Sequence, residues 1–196
     1  TFAGLAATAG STDGTGTEAR FNQPGGITND GVNLYTLNKH GNGIRKIVIN
    51  TAVVTTFAQG VKGTGITTDG TNLYVADPYN DVIKKVVIAT GVISTFAGSG
   101  NSSYQDGTGT NASFYAPMGI VTDGINLFVT DYKKIRKIVI SSAEVTTVAG
   151  SGNEEWTDGT GTNASFVGIS QLTSDGTNIY LTDGSQNDGS IIRKID

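Results

Sequence analysis

The 196-residue sequence has no cysteine, which excludes disulfides, thiolate nucleophiles and zinc–thiolate centres. A single histidine, His40, excludes a histidine-rich metal site and leaves a solvated loop as its default home. Charged residues make up only 15% of the chain and the formal net charge is −4, so the basic footprint of a nucleic-acid binder is missing. No apolar run reaches the roughly 18 residues of a membrane-spanning helix. No signal-peptide pattern is present in this chain, and we expect any leader to have been removed or never included. Proline occurs three times, which argues against a proline-rich disordered chain.

Glycine, at 28 residues, is plentiful, and it recurs in register. Asp-Gly-x-Asn-hydrophobic-aromatic begins at Asp30, Asp69, Asp123 and Asp175, intervals of 39, 54 and 52 residues. A basic, apolar segment follows each time, at Ile44-Arg45-Lys46-Ile47, Ile83-Lys84-Lys85-Val86, Ile135-Arg136-Lys137-Ile138 and Ile192-Arg193-Lys194-Ile195. A third element reads Thr55-Thr56-Phe57-Ala58, Ser94-Thr95-Phe96-Ala97-Gly98 and Thr146-Thr147-Val148-Ala149-Gly150. The short first interval has one cause: the second repeat lacks the Asp-Gly-Thr-Gly-Thr segment that precedes Phe21, Phe114 and Phe166. A segment that can be absent from one copy belongs to a loop, because loops tolerate length changes better than strands.

The segments are short, rich in Val, Ile, Thr, Tyr and Phe, and bounded by Gly, Asn and Asp, which are strand and hairpin signals. Four such strands per unit of about 40 to 50 residues predict one blade of a β-propeller. The expected fold is therefore all-β, a four-bladed β-propeller with four antiparallel strands per blade, in one domain covering residues 1–196. The blades are expected at about 21–58, 65–98, 114–150 and 166–196, the last completed by 1–4. Thr1-Phe2-Ala3-Gly4 repeats the fourth-strand sequence Thr95-Phe96-Ala97-Gly98, and the chain's last motif is a third strand. Pairing of the N-terminal strand with the C-terminal blade would close the ring and remove two exposed sheet edges.

Taken in order, Asp-Gly-x-Gly-x-x-Ala-x-Phe-x-x-Pro-x-Gly-Ile, Asn-Leu-Tyr-Val-x-Asp, Ile-Arg-Lys-Ile and Val-Thr-Thr-x-Ala-Gly resemble the NHL repeat over nearly the whole chain. Two departures stand out. NHL propellers are commonly six-bladed, whereas four units occur here, and the fourth unit has Ile169 at the proline position and Gln171 at the glycine. NHL propellers in some regulatory proteins bind RNA, but the charge balance here argues against nucleic acid.

Repeated residues are expected to build scaffold. Asp30, Asp69, Asp123 and Asp175 read as turn residues whose carboxylates accept backbone N–H bonds, with glycine taking the positive φ. The alternative is a set of carboxylates near the propeller axis holding calcium. Asp77, Asp131 and Asp183, each ending a second strand, are expected to partner the paired basic residues. The Asp-Gly-Thr-Gly-Thr loops lack the Lys-Ser/Thr and helix of a phosphate loop, so they are expected to connect blades and insert Phe21, Phe114 and Phe166 into the core.

Function is expected where the repeat breaks. Tyr104 and Trp156 interrupt polar loops at equivalent places, and His40, Tyr79 and Tyr132 lie on connections between second and third strands, the segments 38–43, 78–81, 132–134 and 184–190. These five residues form the candidate binding set, with no catalytic residue and no cofactor assigned. The expected function is a non-catalytic extracellular or cell-surface binding or assembly module with a protein or glycan partner, and self-association is a further option. The alternative is an enzyme resembling the lactonases and lyases of related propellers, with a cation at the central channel.

Overall fold

A computed structural model describes the chain except for Asn42, residues 186–188 and Asp196. Parts of the connections 38–43 and 184–190 therefore lie outside the described residues. The protein is all-β, with four antiparallel blades of the β-propeller kind. The first blade contains β1 (Gly14–Thr15), β2 (Pro24–Asn29), β3 (Asn33–Asn38), β4 (Gly43–Val48) and β5 (Val53–Gln59), in the order β1-β5-β4-β3-β2. The second runs β6 (Gly65–Thr68), β7 (Asn72–Asp77), β8 (Val82–Val87) and β9 (Ile93–Ala97) side by side. In the third, β10 (Gly107–Thr108), β11 (Pro117–Thr122), β12 (Asn126–Asp131), β13 (Lys134–Val139) and β14 (Glu144–Ala149) repeat the order of the first. The strands of the fourth among the described residues are β15 (Ile169–Ser174), β16 (Ile179–Ser185) and β17 (Gly189–Ile195).

The Asp-Gly-x-Asn motif makes the first hairpin of each blade. At Asp30, Oδ1 accepts the N–H groups of Val32 at 2.9 Å and Asn33 at 2.6 Å, while Gly31 sits at φ +87° with open space where a Cβ would be. Glycine is required there for its backbone freedom alone. The Gly-Ile motif has a different cause. A Cβ on Gly26 would lie 2.8 Å from the Thr64 carbonyl oxygen, and one on Gly119 2.6 Å from that of Ser170. Both glycines lie where the ladder shifts register, between Pro24 and Ile27 and between Pro117 and Ile120. Such bulges bend a strand and let another backbone approach closely.

The residues group into two compact units, Thr1–Val75 with Lys85–Ser94, and Ala76–Lys84 with Thr95–Asp196. The first has one core around Tyr35, Leu37, Ile44, Ile66 and Leu73, and a smaller one around Ala19, Ile47 and Val54 against which Phe21 packs. The core of the second gathers Ile135, Ala149, Phe166, Ile169 and Leu181. Phe114 and Phe166 are fully buried, as expected of the loop aromatics, whereas Phe21 is only partly covered.

The N-terminal segment is described within its own unit. Thr1–Gly4 lies outside the strands, and β17 is hydrogen-bonded only to β16 among the described strand pairings. The Gly4 N–H instead donates to the Gly16 oxygen at 2.9 Å, as Gly98 does to Gly109 and Gly150 to Gly161. The segment is thus placed like a fourth strand relative to the loop that follows it.

Candidate functional site

The four anchor aspartates are occupied within their own turns. In each, Oδ1 takes two backbone N–H groups and Oδ2 takes the asparagine amide, as at Asp30, Asp69, Asp123 and Asp175. Tyr35, Tyr74 and Tyr180 add a hydroxyl donor at 3.0 Å, which Phe128 cannot supply in the third blade. Burial opposes ionisation of Asp30, but the donors from Asn33, Val32 and Tyr35 outweigh it and hold the carboxyl at about 2. The same contest lowers Asp69 and Asp123, and the Asn178 and Thr177 N–H groups lower Asp175. Burial and the adjoining Asp30 carboxylate push the Tyr35 hydroxyl up to about 12. This geometry is that of the turn reading. Among the described residues, no three of His, Asp and Glu gather as a metal-ligand set.

The repeated basic positions are clamps. Arg45, Arg136 and Arg193 are buried, and each stacks on the loop phenylalanine of its blade, at 5.3 Å on Phe21, 5.1 Å on Phe114 and 4.7 Å on Phe166. The Arg136 fork reaches Asp131 and Asp106, both at 2.8 Å, and the carbonyls of Ser113 and Gln105, both at 2.9 Å. Arg193 repeats this with Asp183, Asp158, Ser165 and Thr157. The second blade, lacking the loop, has Lys84 at the same place, donating to Thr95. The expected aspartate partners are therefore found at Asp131 and Asp183. Asp77 instead caps its own turn through the N–H groups of Tyr79 and Asn80.

The non-repeated aromatics yield a site. Tyr104, on the loop before the third blade, packs against Tyr115 with ring centroids 5.7 Å apart, and Tyr115 meets Tyr132 edge-on at 5.1 Å. All three keep a solvent-facing surface, with 37%, 41% and 46% of Tyr104, Tyr115 and Tyr132 exposed. The Lys134 ammonium lies 4.8 Å over Tyr104 and that of Lys133 4.9 Å over Tyr132. Lys133 is itself buried and bonded to Glu154 at 2.7 Å, and this bond, against the effect of burial, raises its ammonium above the ordinary lysine range. Burial, then the Asp131 carboxylate, push the Tyr104 hydroxyl up to about 12. Beneath the rings, the Tyr115 N–H donates to Asp131 at 2.6 Å. Burial drives the Asp131 carboxyl up to about 7, against the pull of Arg136 and that N–H.

Tyr132 occupies the corner of a two-residue hairpin, between the paired Asp131 and Lys134, with φ at +54°. Glycine or asparagine is the usual residue in such a corner. A tyrosine held there stores on the order of 1 kcal/mol of backbone strain.

The structure thus brings Tyr104 and Tyr132 together through Tyr115, which the sequence reading missed. The signal was present: Tyr115 follows the repeated Phe114 at a position where other repeats have Asn22 and Val167. Trp156 is 42% exposed, on the segment that also supplies Glu154. Tyr79 stands exposed at its own turn, and His40 is exposed on a short 3-10 turn (Lys39–Gly41) of the other compact unit.

No family model matches the sequence, and no curated protein matches it. Solved structures do resemble the fold. An auxiliary nutrient-binding protein from Bacteroides ovatus superposes with a TM-score of 0.72 at 17% identity, over 96% of this chain and 55% of that one. A streptogramin B lyase gives 0.54 at 16% identity, over 88% and 55%. The nidogen–laminin complex gives 0.57 at 18% identity, over 89% and 79%. These neighbours are β-propellers, and this chain spans about half the length of the first two. Their likeness establishes the fold, which hosts binding and catalysis alike, so function has to be argued from the site.

Proposed function

We propose that this chain is a non-catalytic binding module of NHL-like repeats, acting outside the cell or on its surface, whose tyrosine cluster docks a protein or glycan partner. The observation that carries the reading is the row Tyr104–Tyr115–Tyr132, half-exposed and braced by Lys133 and Lys134. Tyrosine presents a large apolar face with a polar tip and loses little conformational freedom on binding, which makes it a favoured contact residue. The row suits a ligand with an apolar face edged by hydroxyls or carbonyls, as in sugar rings or an extended peptide. Strain at Tyr132 supports the same reading, because residues held in unfavourable backbone conformations cluster at functional sites.

The test is a screen of immobilised glycans and extracellular proteins, followed by calorimetric titration of each binder. Alanine at Tyr115 or Tyr132 is expected to cost about 2 kcal/mol or more, roughly thirtyfold in Kd, as for a central aromatic contact. A ligand bound equally well by both variants would remove the cluster from the binding site.

A further inference from the structure

The two lysines that bracket the tyrosine row stand in different electrostatic states. Lys133 is buried and bonded to Glu154 at 2.7 Å, so its charge is matched. Lys134 is half-buried, and among the described residues it makes no ion pair. Its ammonium lies 4.8 Å over the Tyr104 ring, and its stem passes Gly152, where an added Cβ would stand 3.4 Å from Lys134 Cε. The carboxylates around the row are engaged elsewhere. Asp131 holds Arg136 and the Tyr115 N–H, while Asp81 accepts the Ala116 N–H at 2.8 Å and the Ser102 hydroxyl. Glu155, next to Glu154, is exposed and makes no ion pair among the described residues. All of these residues belong to one compact unit. The row thus carries a positioned cation to which no carboxylate of the fold is bonded.

The backbone around the rings offers little to a peptide. An extended peptide docks by adding main-chain hydrogen bonds at an open strand edge. Here the N–H groups beside the rings are taken: Tyr115 by Asp131, Ala116 by Asp81, and Ser103 by the Phe114 oxygen at 3.1 Å. The rings are also too small a surface for a folded protein. At 37–46% exposure, three aromatic side chains of up to about 250 Å² each present roughly 300 Å², against about 800 Å² per partner in a stable interface. A sugar ring needs neither an open edge nor a large area, because its C–H face stacks on an aromatic ring and its hydroxyls meet the tyrosine hydroxyls. We propose that the row binds an acidic glycan, a chain of carboxylated sugars such as hexuronates, with a sugar face on the tyrosines and a carboxylate on Lys134. This rests on the reading of the row as the binding site, and it narrows the ligand from protein or glycan to one charged class. Stacking supplies the contact area and Lys134 the charge preference. Because the fold already holds that ammonium in place, pairing with it costs little side-chain freedom.

Calorimetric titration of the full chain tests this, with hexamers of galacturonic and of mannuronic acid as probes, their methyl esters as uncharged matches and hexaglutamate as the peptide match. At least one acid hexamer is expected to bind, its ester about fivefold more weakly, and affinity for the acid to fall as salt is raised. Lys134→Gln is expected to lose that same factor for the acid and nothing for the ester, whereas Lys134→Arg keeps it. The ester comparison uses the unmodified protein, so it decides the charge preference whatever Lys134→Gln does to folding. The proposal is overturned if neither acid hexamer binds, if acid and ester bind equally, if Lys134→Gln leaves the preference intact, or if hexaglutamate binds more tightly than the sugars. Its failure is separable from failure of the underlying reading. Should the acid hexamers not bind while Tyr115→Ala weakens binding of another partner, the row remains the site and only the acidic-glycan assignment falls. Should an acid hexamer bind Tyr115→Ala as well as the unmodified chain, the row itself is not the site.

Discussion

Arg136→Lys is the substitution that most directly tests how the third blade is held together. Arg136 is fully buried, as is the carboxylate of its partner Asp131, and its two terminal nitrogens make four hydrogen bonds between 2.8 and 2.9 Å. A lysine ammonium is a single point with three donors on a narrower stem, so it cannot reproduce a fork spanning Asp131, Asp106, Ser113 and Gln105. At least one acceptor is left dry, and stacking on Phe114 is lost. Breaking a buried ion pair costs about 3–5 kcal/mol, and the retained positive charge places the expectation at the lower end, about 3 kcal/mol. For a chain of this size that corresponds to a fall in Tm of roughly 6–12 °C. Urea unfolding followed by near-UV circular dichroism reads the change directly, with the m-value checking that the unfolded reference is unaltered. The second blade provides the internal control. Lys84→Arg sits at the same repeat position where no loop exists to be held, and it is expected to change stability by less than about 0.5 kcal/mol. If Arg136→Lys cost below 1 kcal/mol, or if the two substitutions cost the same, the clamp reading would be refuted.

Two further outcomes follow from the turns. A carboxyl that is more acidic in the folded than in the unfolded chain stabilises the fold above its unfolded value and loses that contribution as pH falls through its folded one; for Asp30 the window runs from 3.8 down to about 2, and Asp69, Asp123 and Asp175 shift in the same direction. The urea midpoint is therefore expected to fall with acidification across that window and to fall less steeply in Asp30→Asn; parallel slopes would dismiss the assignment. Tyr132→Gly is expected to hold or raise stability, by up to about 1 kcal/mol, because it relieves the positive φ, while weakening partner binding roughly thirtyfold or more. Calorimetric unfolding paired with titration of the bound partner checks both, and a clear loss of stability would show that Tyr132 is retained for packing.

The architecture was legible because its determinants are local. Asp30 to Asn33 close a hairpin with atoms from four consecutive residues, so a four-letter motif is enough to reveal it. The meaning of Arg136 was not legible, since Asp106 and Gln105 come from a loop some thirty residues upstream and only folding brings them to the guanidinium. What the sequence did display is the correlation that encodes it: arginine in the three repeats with the loop, lysine in the one without. Tyr115 escaped notice because it adjoins an invariant element of the repeat and reads as its flank.

A division of labour follows from the same residues. The recurring positions are taken up by the scaffold: the anchor aspartates of all four blades by their own turns and, in the three blades with the loop, arginines by loop carbonyls and aspartates and phenylalanines by packing beneath them. None of those groups has much left to offer a ligand. Tyr104, Tyr115 and Tyr132 sit directly above this machinery, with the Tyr115 N–H and the Arg136 fork meeting on the one Asp131 carboxylate. The rings are thus mounted over a carboxylate that the clamp also holds, and on the proposed reading the order of the clamp sets the order of the binding surface. The two can be separated experimentally because only the clamp is repeated. Damage at Asp131 should disturb fold and binding together, whereas damage at the rings should disturb binding alone, which is the pattern expected when a recognition surface is carried by a scaffold it does not help to stabilise.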